Sequence, residues 1–144
     1  MKRAVVDASV AVKWVVEEEF SNAAERLLTM GTTLHAPSHW LAEVLNTITA
    51  YCVFKRRITA DAAREKATFI LDVPYQECRL PEVGRSATDL ALELGGTVYD
   101  TLYLAAAIEL RLPFVTADRK FYDRVVEHGR WKSHLCWLAD IPVG

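Results

Sequence analysis

Apolar positions along this chain fall into short continuous runs separated by stretches with helical spacing. Ala4-Val5-Val6 predicts a buried strand over residues 3–7, bounded by Lys2-Arg3 and by the polar Asp7. A helix is expected from Ser9 to about Glu18. A second is expected from Ser21, read as its N-cap, with Ala23, Ala24, Leu27 and Leu28 on one face before Gly31. Thr33 to Ala36 predicts a weak strand closed by Pro37. From Ser38 to about Phe54, Leu41, Val44, Leu45, Ile48 and Val53 mark a long helix. Thr59 caps a further helix running through Leu71. A strand is expected around Gln76–Arg79, and a helix over Arg85–Leu94 that stops at Gly95-Gly96. Asp100–Leu110 reads as helix, Phe114–Thr116 as strand, Arg119–Glu127 as helix, and Leu135–Leu138 as a closing strand. Strands that alternate with helices predict an α/β fold built on a parallel sheet of about five short strands flanked by helices. No repeat, low-complexity tract or linker interrupts the pattern, so residues 1–144 read as a single domain.

Composition narrows the picture modestly. Hydrophobic residues make up 51% of the chain, slightly above the usual range, which leaves apolar surface for a partner, for instance around Trp14 and Trp40. The net charge of −2 provides no global attraction for nucleic acid, so any such binding must use a local patch. Cys52, Cys78 and Cys136 are widely spaced and form no paired zinc or redox motif, which suits a reducing compartment. With no signal-peptide pattern and no apolar run near the length of a membrane span, the chain is expected to be soluble and cytoplasmic.

The candidate chemistry lies where strands hand over to helices. Asp7 ends the first apolar run, and Asp118 follows Phe114-Val115-Thr116-Ala117. Asp100 opens an apolar helix, and Glu43 sits in the first turns of another. In open α/β sheets ligands bind beyond the carboxyl ends of the strands. Each acid also has a structural alternative. Thr97-Val98-Tyr99-Asp100 fits a capping box, Asp118 fits an N-cap, Asp7 fits a cap with Ser9 as competitor, and Glu43 fits a helix surface. For the acids of the two strands to meet, those strands must be neighbours in the sheet. Carboxylates about 4 Å apart repel by roughly 4 kcal/mol at an effective dielectric of 20, so such a cluster persists with a cation or with shared protons. Magnesium or manganese suits an oxygen-only site that keeps waters for a phosphate substrate. Asn46, three residues after Glu43, and Thr116, two before Asp118, are candidate supports; a helix-surface amide and an ordinary strand threonine are the alternatives. His35 and His39 are four apart, but Pro37 separates them, so they form no rival site.

Four segments carry a resemblance. They are Val5-Val6-Asp7-Ala8-Ser9, Ala36-Pro37-Ser38-His39-Trp40-Leu41-Ala42-Glu43, Gly95-Gly96-Thr97-Val98-Tyr99-Asp100-Thr101, and Leu112-Pro113-Phe114-Val115-Thr116-Ala117-Asp118. In order and spacing the chain resembles the PIN-domain ribonucleases, specifically the VapC-type toxins of toxin–antitoxin pairs. The resemblance implies a PIN-like fold in which Asp7, Glu43, Asp100 and Asp118 hold one or two Mg²⁺ or Mn²⁺ ions. Thr116, Ser9 and Asn46 would support that quartet. It implies an endoribonuclease that hydrolyses RNA phosphodiester bonds, a homodimer, and neutralisation by a small VapB-like antitoxin.

Basic residues near the acids supply the local patch that RNA requires. Arg119 and Lys120 follow Asp118 directly, with Arg124, Arg130 and Lys132 beyond; a solvated surface is the alternative. For Lys55-Arg56-Arg57, which end the Glu43 helix, complementing the helix dipole or a solvated surface is favoured over phosphate neutralisation. A haloacid-dehalogenase-like phosphatase would need a second acid where Ser9 stands, and a receiver-type switch would need paired N-terminal acids. The remaining alternatives are a PIN-like module that binds RNA or protein without cutting, and an RNA-processing nuclease with no antitoxin.

Overall fold

Ala4, Val5 and Val6 have no solvent exposure, and they form β1 (Arg3–Val6), the middle strand of the sheet in this computed structural model, which describes residues 1–143. On one side of β1 lie β2 (Thr33–Pro37) and then β3 (Gln76–Cys78). On the other lie β4 (Phe114–Thr116) and then β5 (Leu135–Trp137). Every pairing is parallel, with Val5 opposite His35 on one side and Phe114 on the other, and Val6 opposite Val115. The chain leaves β1 toward β2 and later returns to place β4 on the opposite flank. The crevice beyond the carboxyl ends of β1 and β4 is therefore the point where strand order reverses, the usual place for a ligand in an open α/β sheet.

Among the described residues seven α-helices accompany the sheet: α1 (Ala8–Ala11), α2 (Ser21–Thr29), α3 (Trp40–Val53), α4 (Ala60–Asp72), α5 (Leu80–Leu94), α6 (Val98–Leu110) and α7 (Arg119–His128). Helix α6 is buried continuously from Thr101 to Ala107, as the apolar run Leu102–Ala107 demands. It packs on β1, β2 and β4 and is covered by α5. Trp40, Phe114, Leu27, Ile48, Ile70 and Leu104 are the bulkiest fully buried side chains. Among the described residues no helix is long and apolar enough to cross a membrane.

Three expectations about helix boundaries are corrected. The first helix does not reach Glu18: α1 tightens into a 3₁₀ turn over Val12–Trp14 and stops. The β-branched Val15 and Val16 that follow are poor helix formers. Ser21 is not an N-cap, since Phe20 occupies that position; its hydroxyl donates to the Val16 carbonyl and accepts from the Glu18 amide, bracing the preceding turn. Helix α5 starts at Leu80, well before Arg85, because Pro81 sits in the first turn, where a missing amide hydrogen costs nothing. Trp14 and Trp40 are both buried and meet edge to face at 6.3 Å, so they belong to the core and leave no apolar surface there.

Candidate functional site

The extended backbone of β1 ends at Val6 and turns into α1 at Asp7, whose carboxylate caps that helix. Its Oδ1 accepts from the Val10 amide at 3.2 Å and from the Ser9 hydroxyl at 2.5 Å. Its Oδ2 accepts from the Thr116 hydroxyl at the end of β4, also at 2.5 Å. The two hydroxyls are fixed in turn: Ser9 Oγ accepts from the Ala117 amide and Thr116 Oγ1 from the Asp118 amide, each at 3.0 Å. Asp118 then caps α7, accepting from the Phe121 amide at 3.1 Å. The pairing of β1 with β4 makes this network possible, so the condition placed on the two strands is met. Capping and clustering do not compete here. Asp118 caps α7 through Oδ1, while Asp7 engages both oxygens with Val10, Ser9 and Thr116, and both acids still border the crevice.

Burial dominates the electrostatics of Asp7, which is 7% exposed. Desolvation pushes its carboxyl up to about 6; the Ser9, Thr116 and Val10 donors oppose that rise, and the charge of Asp118 adds to it.

Two helices complete the opposite wall. Glu43, on α3, accepts from the Tyr103 hydroxyl at 3.2 Å and has His39 Nε2 2.7 Å from its Oε1. His39 Nε2 donates to the Tyr99 carbonyl at 2.9 Å; since a carbonyl only accepts, Nε2 carries the proton. Nδ1 of His39 is left buried without a partner. Tyr103 stacks on Phe114, and burial together with the Glu43, Asp7 and Asp100 charges holds its phenol far above the ordinary range, so it stays a donor. Asp100 lies in the first turn of α6, where its amide donates to the Thr97 hydroxyl at 3.2 Å. Its carboxyl is raised first by burial and then by Asp118, with Glu43 adding to the rise while the Thr97 hydrogen bond and the Arg124 charge oppose it.

Asp7, Glu43, Asp100 and Asp118 all line one hollow of about 370 Å³, together with Ser9, Lys13, Glu18, Thr47, Tyr51 and Tyr103. Among the described residues no group of three or more His, Cys, Asp or Glu side chains is gathered tightly enough to hold an ion by itself. The arrangement is an open acidic hollow, and its chemistry fits a hard cation. All four donors are carboxylates, and burial first, with the Asp118 charge adding to it, raises the proton affinity of Asp7 and Asp100, which a bound cation would offset. Such a cation keeps several of its own waters, for which the hollow has room.

Other expected positions separate. Ser9 and Thr116 sit within the acid network. Asn46 is exposed and does not line the hollow; the row of α3 that faces it is Glu43, Thr47 and Tyr51, spaced by four. Arg119 turns away, lying 3.8 Å over the Trp137 ring and reaching Asp123 at 3.8 Å. Lys120 lines an adjoining cleft with Arg124. Several neighbours escaped the sequence reading. Tyr103 had a signal, standing three residues after Asp100 on the same face. Lys13 had none, and neither did Glu18, which accepts from the Tyr51 hydroxyl at 2.9 Å. His39 makes no metal pair with His35, but it does hold Glu43.

Comparison with known proteins agrees with this architecture. The profile of the PIN domain matches residues 4–126. Ribonuclease VapC3 of Pyrobaculum aerophilum is 29% identical over 126 residues, which span 83% of this chain and 92% of that protein. Mycobacterium tuberculosis VapC20, described as a Sarcin-Ricin loop cleaving toxin, superimposes with a TM-score of 0.62 at 16% identity, covering 83% of this chain and 93% of its own. VapBC2 from Rickettsia felis, solved bound to a DNA fragment from its promoter, gives 0.62 at 15% identity, covering 94% and 96%. At these identities the structural matches speak for the fold.

Proposed function

The chain belongs to the PIN-domain family, and on that premise we propose that it is a divalent-metal-dependent endoribonuclease of the VapC toxin type, neutralised by a cognate VapB-like antitoxin. The observation that carries the reading is the convergence of Asp7, Glu43, Asp100 and Asp118 on one hollow at the switch point of the sheet. Those four carboxylates would hold Mg²⁺ or Mn²⁺. When bound, such a cation lowers the pKa of a water and offsets the charge of the phosphodiester.

The chain's own groups do the rest. Ser9 and Thr116 hold the Asp7 carboxylate by donating to both of its oxygens, and Tyr103 and His39 hold Glu43. Preorganised acids of this kind need no reorganisation when charge develops in the reaction. Lys13, on the rim of the hollow, and Lys120, beside it, offer positive charge to RNA phosphates. The toxin reading further entails a homodimer acting in the cytoplasm, with the antitoxin covering the site. It draws support from the likeness to a curated VapC ribonuclease over most of both chains.

Incubation of total cellular RNA with the purified protein, in Mg²⁺, in Mn²⁺ and in EDTA, alongside Asp7→Asn, tests the activity. Metal-dependent cutting that the variant lacks is expected. A folded, antitoxin-free protein that leaves all RNA intact in every metal would overturn the nuclease. Co-expression with the neighbouring small open reading frame, followed by size-exclusion chromatography, tests the antitoxin and the dimer.

A further inference from the structure

Beside the acidic hollow lies a second cleft of about 400 Å³, lined by Gly95, Gly96, Thr97, Asp100, Asp118, Lys120, Phe121 and Arg124. Asp100 and Asp118 border both spaces, so whatever occupies the cleft sits next to whatever the acids hold. Lys120 and Arg124 are four apart on α7 and therefore share a face. Arg124 is only partly exposed, yet among the described residues it makes no salt bridge and no side-chain hydrogen bond. A planar five-donor guanidinium without partners is suited to a phosphate oxygen pair.

The two glycines of Gly95-Gly96 have different reasons to be there. Gly95 ends α5 with φ of 72°, a left-handed conformation that other residues adopt at a cost, and a Cβ on it would touch nothing. Gly96 has no such backbone demand. A Cβ there would meet Nη1 of Arg124 at 2.8 Å, too close for contact. The missing side chain at Gly96 is what lets the guanidinium settle over the turn that leads to Asp100.

We propose that this cleft is a phosphodiester subsite, in which Arg124, seated against Gly96, and Lys120 grip the RNA backbone phosphate next to the one presented to the acids. The inference rests on the nuclease reading and adds to it the position of the strand. Continuity with the acid hollow favours the substrate's own backbone over an acidic peptide, because a strand whose phosphodiester is presented to the acids carries its next phosphate into the adjoining cleft. The same two carboxylates would repel an anion in the cleft were it not for the two cations facing them.

The test is fluorescence anisotropy of a labelled single-stranded oligoribonucleotide, titrated in EDTA at several salt concentrations, with cleavage kinetics in Mg²⁺ alongside. Arg124→Ala should weaken binding roughly tenfold, as loss of a charge-assisted hydrogen bond does. It should also lower the slope of log affinity against log salt by about 0.7, the value for one phosphate contact on a single strand. In kinetics the loss should fall more on KM than on kcat. Arg124→Lys should restore the slope but only part of the affinity, since a point charge replaces a fork. Gly96→Ala, which keeps every charge, should weaken binding severalfold with the slope unchanged.

Full affinity and an unchanged slope in Arg124→Ala, in a wild type that binds and cuts RNA, would overturn the subsite and spare the nuclease. Wild-type behaviour in Gly96→Ala would overturn the seating of the guanidinium. A wild type that neither binds nor cuts RNA would overturn both readings together. Binding of an acidic peptide that Arg124→Ala abolishes, with RNA binding unaffected, would assign the cleft to a protein instead.

Discussion

The two walls of the acidic hollow are built in opposite ways. On the strand side, Asp7 and Asp118 cap the helices that follow them, and Ser9, Thr116 and two backbone amides lock them together over a sequence distance of more than a hundred residues. On the helix side, Glu43 is 37% exposed by its side chain, caps nothing, and is held only by His39 and Tyr103. Asp100 lies between these extremes, in the first turn of a buried helix whose cap is Thr97. The strand wall is thus structural as well as chemical, whereas the helix wall is chemical alone. Removing an acid from each wall should therefore have different consequences for stability and similar ones for activity.

The sharpest way to break the comparison is to remove Asp118 and Glu43 in parallel. Both Asp118→Ala and Glu43→Ala should lower Mg²⁺-dependent cleavage by roughly a hundredfold or more, since partners that merely support metal ligands already carry 10–100-fold. Only Asp118→Ala should also lower the melting temperature, because it alone removes an N-cap, which costs about 1 kcal/mol. Equal melting temperatures for the two variants would erase the distinction between the walls.

Asp7 adds a dependence on pH. Its folded carboxyl titrates near 6 against an ordinary 3.8, so the folded state binds that proton more tightly than the unfolded chain does. The stabilisation from this proton is complete below about pH 4 and gone above about pH 6, a difference of at most about 3 kcal/mol. In EDTA, wild-type stability should fall relative to Asp7→Asn as pH rises through that window. The inactive Asp7→Asn should then be the more heat-stable protein at neutral pH. Parallel melting curves across pH 4–7 would show that Asp7 carries no buried charge.

Smaller effects sharpen the same contrast. Thr116→Val keeps shape but removes the donor to Asp7 and the acceptor for the Asp118 amide. It should cost about 1–3 kcal/mol of stability, with a roughly tenfold rise in half-saturating Mg²⁺. Tyr103→Phe loses one hydrogen bond to a partly exposed carboxylate. It should raise half-saturating Mg²⁺ severalfold and change stability by no more than about 1 kcal/mol. A Tyr103→Phe protein with unaltered metal dependence would mean that Glu43 needs no holding.

Much of this was legible beforehand, for identifiable reasons. Asp7 and Asp118 could be read as both caps and site candidates because each ends an apolar run; both cap the helix that follows and both line the one hollow. Asp100 and its capping box were legible because the pattern spans four consecutive residues. The choice of Glu43's companions was not. Asn46 was reasoned from i,i+3 spacing, but the hollow selects the i,i+4 row of Thr47 and Tyr51, and the phase of a helix against its neighbours is not written in the helix itself. The direction of Arg119 was hidden for a similar reason. Adjacent to Asp118 in sequence, it is drawn off by the Trp137 ring, which comes from β5.

The sequence by itself determined the alternation of strands and helices, the apolar run within α6, and the placing of an aspartate just beyond each of β1 and β4. These follow from side-chain periodicity and from hydrogen bonds closed within a few residues. Tertiary structure alone decided that β1 and β4 are neighbours, that α3 turns Glu43 and not Asn46 toward them, and that Arg124 reaches the gap left by Gly96. Those outcomes depend on strand order and helix phase, which are set by burying the whole apolar surface at once and so cannot be encoded in any one segment.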